Sequence, residues 1–223
     1  MDLPTQLHQL TATIERETSP RLLKVIQQFM EELQQRQVAR RSLQPGDTVP
    51  NFSLKNQHQR TVALYDQLNE GPVVLKFYRG GWCPYCNLEL QAWQHELPEI
   101  AFSDAQLLAV TPESLNNVIH TVRKNALDFS VLHDTHSQVA AAFGISVSLS
   151  NYLQAFYRSL GLNLSLRNVD RQVRLPLPAT YVISTDYTIQ YAFVDEDYRK
   201  RAALSEIINL LPQLQPKKMY AYG

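Results

Sequence analysis

Cysteine is almost absent from this chain: 223 residues contain two, Cys83 and Cys86. One C-x-x-C pair supplies half of a closed tetrahedral zinc site, and no His-x-x-x-His run completes it, so a structural metal is not expected. An excess of charge of either sign is also missing, since Lys+Arg and Asp+Glu both number 21. The sequence therefore carries no electrostatic footprint for nucleic acid and no attraction to an anionic membrane, and small, weakly charged partners fit better. No apolar run approaches the length of a membrane span, and Met1-Asp2-Leu3-Pro4-Thr5-Gln6 lacks the basic start and apolar stretch of a signal peptide. The expectation is a cytoplasmic protein. In a reducing cytosol a static disulfide does not persist, which makes a C-x-x-C pair more often catalytic than structural. Two incidental core cysteines are the plain alternative, because cysteine packs well as a small hydrophobe.

The surroundings of the pair favour chemistry. Pro72 to Tyr78 reads as a buried strand and Asn87 to Trp93 as a helix, so the thiols sit where a strand hands over to a helix. The first turn of a helix presents unpaired N–H groups and partial positive charge, both of which favour a thiolate. Pro84 suits the first helical position. A thiolate there can attack a disulfide or a peroxide, and the second thiol can resolve the product into an internal disulfide.

Residues 1–43 read as a helical extension, with Leu3, Leu7, Leu10 and Ile14 on one stripe and Leu22, Ile26, Phe29 and Leu33 on another, divided at Ser19-Pro20. They either pack on their own domain or form a dimerisation arm. Turn residues from Gln44 to Pro50 open a compact domain over 44–214, in which short strands near Phe52 and Thr61 precede the central strand. Pro98 is expected to end or kink the redox helix. Strands at 106–110 and 129–132 then alternate with helices at 115–125 and 137–143, which implies a parallel sheet covered on both faces. A helical insertion at about 148–174 interrupts this order, lying either over the active site or against the N-terminal helices. Ala179–Ile183 and Ile189–Val194 form an antiparallel hairpin before a last helix, Ala202–Leu211, and a tail at 215–223.

Several local patterns share one likeness. Gly46-Asp47-x-x-Pro50-x-Phe52-x-Leu54, Phe77-Tyr78, Leu107 to Pro112, Leu132-His133-Asp134 and Phe143-Gly144-Ile145 occur in an order that resembles the AhpC/TSA family of peroxiredoxin-like proteins. The likeness runs from about Gly46 to Leu211. It implies a thioredoxin-like α/β fold of three layers, with a mixed central sheet between helices. Leu177-Pro178-Ala179-Thr180 resembles the segment in which that fold sets a cis-proline against the redox cysteines, and Pro178 is the candidate.

The resemblance gives the two cysteines two registers. Laid over typical peroxiredoxins, Cys86 falls on the peroxide-attacking cysteine and Glu89 on a glutamate that follows it, while Arg79 replaces a shielding proline. Laid over thioredoxins, Trp82-Cys83-Pro84-Tyr85-Cys86 makes Cys83 the exposed nucleophile and Cys86 the buried resolver. Position at the helix entrance favours Cys83. Arg79 either offers charge-assisted hydrogen bonds to a thiolate or peroxide oxygen or stands in solvent; Trp82 is expected to shield the site and Tyr85 to be exposed. An arginine of the run Asp195 to Arg201 lies near the thiols, or the run is simply solvated.

The leading expectation is a thiol–disulfide oxidoreductase that reduces peroxides through a Cys83/Cys86 cycle. It would use no bound cofactor and an external thiol reductant, a thioredoxin or glutathione system, with a homodimer as a candidate assembly. A reductase of protein or glutathione mixed disulfides and a redox-sensing interaction protein are the alternatives. All three share the fold.

Overall fold

The computed structural model describes residues 1–168 and 170–214; the tail expected at 215–223 lies outside the described residues. In chain order the elements are α1 (Leu3–Glu17), α2 (Pro20–Gln35), α3 (Val38–Arg41), β1 (Ser53–Asn56), β2 (Thr61–Ala63), α4 (Leu64–Glu70), β3 (Val73–Phe77) and α5 (Pro84–Phe102). Then follow β4 (Gln106–Thr111), α6 (Leu115–Asn125), β5 (Ser130–His133), α7 (Gln138–Ala142), β6 (Ser146–Ser148), α8 (Asn151–Ser159), α9 (Leu164–Arg167), β7 (Arg174–Pro176), β8 (Ala179–Ile183), β9 (Ile189–Val194) and α10 (Leu204–Leu210).

The main sheet has the order β2-β1-β5-β4-β3-β8-β9. Its centre is parallel, with β4 between β3 and β5, and antiparallel strands flank it on both sides. The parallel, helix-covered centre is the one implied by the alternation of elements, and the mixed sheet as a whole is the one implied by the family likeness. Every residue of β3 is buried, as a strand covered on both faces requires. Its side chains alternate: Leu75 and Phe77 join a core with Leu108, Phe143 and Tyr181, while Val74 joins the opposite core with Trp93, Ile100 and Ile207. Lys76 shares the second face, toward α5.

The N-terminal helices pack on this domain. Leu7, Leu10 and Ile14 of α1 lie against the α5 core, and Leu33 of α2 enters the other. The insertion is a hairpin of β6 and β7 that carries α8 and α9. It has its own apolar cluster of Leu149, Leu153, Leu164, Val173 and Leu175, against which pack both Val25 and Phe29 of α2 and Trp82 of the redox turn. The two placements considered from sequence are thus both realised.

Two expectations are corrected. Pro98 neither ends nor divides its helix, for α5 continues to Phe102. An interior proline costs about 3 kcal/mol, and the fully buried Trp93 and Ile100 on either side anchor the helix strongly enough to offset it. Pro178 is trans, no cis peptide being found among the described residues. The backbone there is committed to other partners: Leu177 N–H donates to Ile145 C=O at 2.8 Å, and Ala179 pairs with Phe77 in the sheet. No helix among the described residues is long and apolar enough to cross a membrane.

Candidate active site

Where β3 ends, the chain turns through Arg79, Gly80 and Gly81. Gly80 has φ +150°, and a Cβ there would meet the Trp82 indole at 2.4 Å; one on Gly81 would meet Thr121 Oγ1 at 1.9 Å. Only glycines allow this close approach. Cys83 N–H donates to Gly80 C=O at 3.1 Å and closes the turn, leaving Cys83 as the N-cap residue of α5 with Pro84 first in the helix. Asn87, one turn in, donates to the carbonyls of Gly81 and Cys83 at 2.8 and 3.1 Å.

A second brace comes from the fully buried Glu113. Its Oε2 accepts from Gly81 N–H at 2.7 Å, and its Oε1 accepts from Arg167 Nε at 2.8 Å. Arg167 ends α9, so the insertion is fastened to the turn that carries the thiols.

Cys83 and Cys86 are reduced and both buried, at 1% and 0% exposure. The exposed Cys83 expected from sequence is therefore corrected, and so is an exposed Tyr85. Helix α1 accounts for this cover: it lies against the Cys83, Tyr85 and Cys86 core, and Thr11 Oγ1 is 3.2 Å from Tyr85 Oη. Tyr198 closes edge-on over Tyr85 with centroids 5.7 Å apart.

Inside this enclosure the thiols are inequivalent. The Cys83 thiol is pulled down to about 6, first by the hydrogen bond from the Cys86 thiol, against the opposing effect of burial, and further by Arg79, Arg201 and the Cys86 backbone N–H. The Cys86 thiol is pushed up by burial and by its hydrogen bond to Cys83. One thiolate, held on Cys83, is the arrangement these groups favour.

Arg79 is 6% exposed rather than solvated. Its guanidinium lies 4.5 Å from the Tyr198 ring centroid and 4.8 Å from that of Trp82, and Nη2 donates to Tyr157 Oη at 2.6 Å. Among the described residues no carboxylate pairs with it. A buried cation caged by aromatic faces and lacking an acid is placed to hold an anion.

A second layer lies beneath Cys86. Glu89 is fully buried; Lys76 Nζ approaches its Oε1 to 2.7 Å and Arg201 Nε contacts its Oε2. Arg201 Nη2 also donates to Cys86 Sγ at 3.6 Å. Burial pushes the Lys76 amine down, against the attraction of Glu89. Within the charge run at 195–201, Arg201 is thus the arginine near the thiols, while Lys200 stays out with Asp195.

Leu177 and Pro178 reach the site as walls of an apolar cleft that Arg79, Tyr157, Leu153 and Phe29 also line. Its cavity volume is about 30 Å³, room for about two water-sized groups.

Comparison with known proteins places this geometry. The sequence profile described as "AhpC/TSA family" matches residues 45–192, most of the chain. The chain belongs to the AhpC/TSA family. Bacillus subtilis Peroxiredoxin Bcp is 27% identical over 134 residues, 60% of this chain and 83% of that protein. The bcp protein of Buchnera aphidicola is 28% identical over 104 residues, 47% of this chain and 65% of that protein's length. Among solved structures, peroxidoxin BcpB from Mycobacterium tuberculosis superposes with a TM-score of 0.61 at 22% identity, over 78% of this chain and 99% of that one. Xylella fastidiosa PrxQ, solved as a mutant, gives 0.60 at 20% identity over 77% and 96%. These two likenesses bear on the fold.

In this AhpC/TSA chain the structure brings Trp82, Cys83, Cys86 and Glu89 together on the α5 side, with Tyr85 beneath α1. Arg79, which acts on the Cys83 thiol, joins them to the neighbouring cleft of Leu177 and Pro178, which neither cysteine lines. Sequence reasoning missed Lys76, Glu113, Tyr157, Arg167 and Tyr198. Lys76 had a signal, being the one charge inside an apolar strand that must find a partner. Tyr157 and Arg167 had none beyond their place in the insertion.

Proposed function

We propose that this chain is a thiol-dependent peroxidase in which Cys83 attacks the peroxide and Cys86 resolves the product. The observation that carries this reading is the Cys83–Cys86 pair at the entrance of α5 beside the buried Arg79, whose guanidinium has no ion-pair partner among the described residues and lines a narrow cleft. The lowering of the Cys83 thiol agrees with it. The Cys83 thiolate attacks the distal peroxide oxygen, an S–O bond forms, the O–O bond breaks, and the leaving oxygen departs protonated as water or an alcohol. Cys83 is then a sulfenic acid. Attack by Cys86 forms the S–S bond and breaks the S–O bond, and the Cys86 proton leaves with the hydroxyl as water. An external thiol donor, of thioredoxin or glutathione type, returns two electrons and two protons; no bound cofactor takes part. A reducing cytoplasm suits such a cycle.

Burial of both sulfurs favours a small oxidant over a protein disulfide, which would need to lay its own sulfur against Cys83. The test is direct. Hydrogen peroxide or an organic hydroperoxide added to reduced protein should consume two thiols and yield the Cys83–Cys86 disulfide, and C86S should accumulate a sulfenic acid on Cys83. Oxidation no faster than that of free cysteine would sink the proposal.

A further inference from the structure

Cleavage of an O–O bond leaves a hydroxide or alkoxide, which needs a proton at the moment it departs. The groups that line the cleft limit where that proton can come from. Arg79 keeps its protons under all ordinary conditions. Lys76 and Arg201 are engaged with Glu89 beneath Cys86, on the sheet side of the thiols. Glu196 also lines the cleft, but its Oε1 is turned to the N-terminal helices, where it accepts from Ala39 N–H at 2.9 Å. Apart from Tyr157 and Tyr198 the remaining walls are apolar, with Leu177, Pro178, Leu153 and Phe29 among them.

Tyr157 is different. It stands on α8 of the insertion, half-buried, and lines the same cleft as Arg79. Its ring meets Trp82 edge-on at 5.3 Å, so it is fixed over the turn that leads into Cys83. Among the described residues its hydroxyl makes one hydrogen bond, as the acceptor from Arg79 Nη2 at 2.6 Å. A phenol that accepts from a cation has its own O–H free to donate, and the cation stabilises the phenolate that donation leaves behind.

We propose that Tyr157 is the proton donor to the leaving oxygen when Cys83 attacks the peroxide. This rests on the peroxidase reading above. As the S–O bond forms, the O–O electron pair passes to the leaving oxygen, which takes the Tyr157 proton and departs as water or alcohol. The phenolate, held by Arg79, regains a proton from water as the product leaves. Tyr198 also lines the cleft, but it meets Arg79 with its ring face, and burial pushes its hydroxyl up, against giving up a proton.

The experiment measures the second-order oxidation rate of the full reduced chain by hydrogen peroxide, by an alkyl hydroperoxide and by a peroxyacid. The first two release strongly basic oxygens, whereas the third releases a carboxylate that needs no proton. Y157F removes one oxygen and keeps the ring packing. It should slow the first two oxidants about 100-fold and leave the peroxyacid rate within about 2-fold, a change in leaving-group dependence that a merely structural role would not produce. Equal slowing of all three oxidants, wild-type rates throughout, or the same selective loss in Y198F but not Y157F would each overturn the assignment. A wild-type chain that reacts with peroxide no faster than free cysteine would instead mark failure of the peroxidase reading itself.

Discussion

Replacing Glu89 by glutamine tests the buried charge layer beneath the thiols. The carboxylate is fully buried and is the group that Lys76 and Arg201 both contact, their side chains being 1% and 2% exposed. Glutamine keeps the shape and removes the charge, which leaves two cations in the core without an anion. Removing one partner of a buried pair costs about 3–5 kcal/mol. Lys76 limits the loss, because its amine is already pushed down by burial and can shed its proton once Glu89 no longer holds it. For a chain of this size each kcal/mol lowers Tm by about 2–4 °C, so a fall of about 10–15 °C is expected. Thermal unfolding of the reduced protein at neutral pH, followed by circular dichroism, reads it.

Two features separate this account from simple loss of packing. K76M should cost less than E89Q, since it leaves Glu89 and Arg201 in balance. In E89Q the folded lysine titrates below its unfolded value, so the folded state binds fewer protons and stability should rise with pH across the alkaline range toward about 10.4. A Tm loss below about 3 °C in E89Q, or a larger loss in K76M, would refute the reasoning.

Other outcomes follow from the same geometry. The peroxide oxidation rate should titrate with an inflection near the Cys83 value of about 6, and R79Q should move that inflection upward by about 1 unit or more, read by thiolate ultraviolet absorbance. Because the folded Cys83 value lies below the unfolded one, the reduced wild type should gain stability over C83S as pH rises from about 6 to about 9, and lose it as pH falls through the folded value; denaturant midpoints across that window measure it. R167M leaves the buried Glu113 carboxylate without its cation, and the peroxide rate should fall by about 10-fold as the Gly81 turn loosens, with Tm lowered by about 10 °C. Equal rates in R167M and wild type would separate the insertion from catalysis.

The sheet was legible because its strands are written in apolar runs bounded by turn residues, and the redox turn because a lone C-x-x-C between a strand and a helix has few other uses. Burial was harder to read. Tyr85 looked exposed because it stands between two cysteines at a helix start, yet what decides its environment is α1, placed some seventy residues earlier in the chain. Pro98 carries a true local preference against helix, overruled by the packing of Trp93 and Ile100. Tyr157 and Arg167 carry no pattern at all; they matter through contacts with Arg79 and Glu113 that depend on how the insertion folds back. Local chemistry announces itself in sequence, whereas a partner brought in from another element does not.

The imbalance of charge around the thiols has an electrochemical consequence. Among the described residues Lys76 and Arg201 share one carboxylate, Glu89, and Arg79 has none, so a thiolate on Cys83 moves the surroundings toward neutrality in the dithiol state. The disulfide carries no such charge, so oxidation leaves the cations uncompensated and the couple should sit at a higher midpoint potential. With the thiol at about 6 rather than 9.0, lowered first by the hydrogen bond from Cys86 and then by Arg79 and Arg201, the dithiol gains about 1.4 kcal/mol at neutral pH, or about 30 mV for two electrons. Above pH of about 6 the couple takes up one proton rather than two, and its potential should fall by about 30 mV per pH unit instead of about 59. The Cys86 hydrogen bond and the two arginines that help Cys83 attack an oxidant therefore also make the resulting disulfide easy for a thiol donor to reduce.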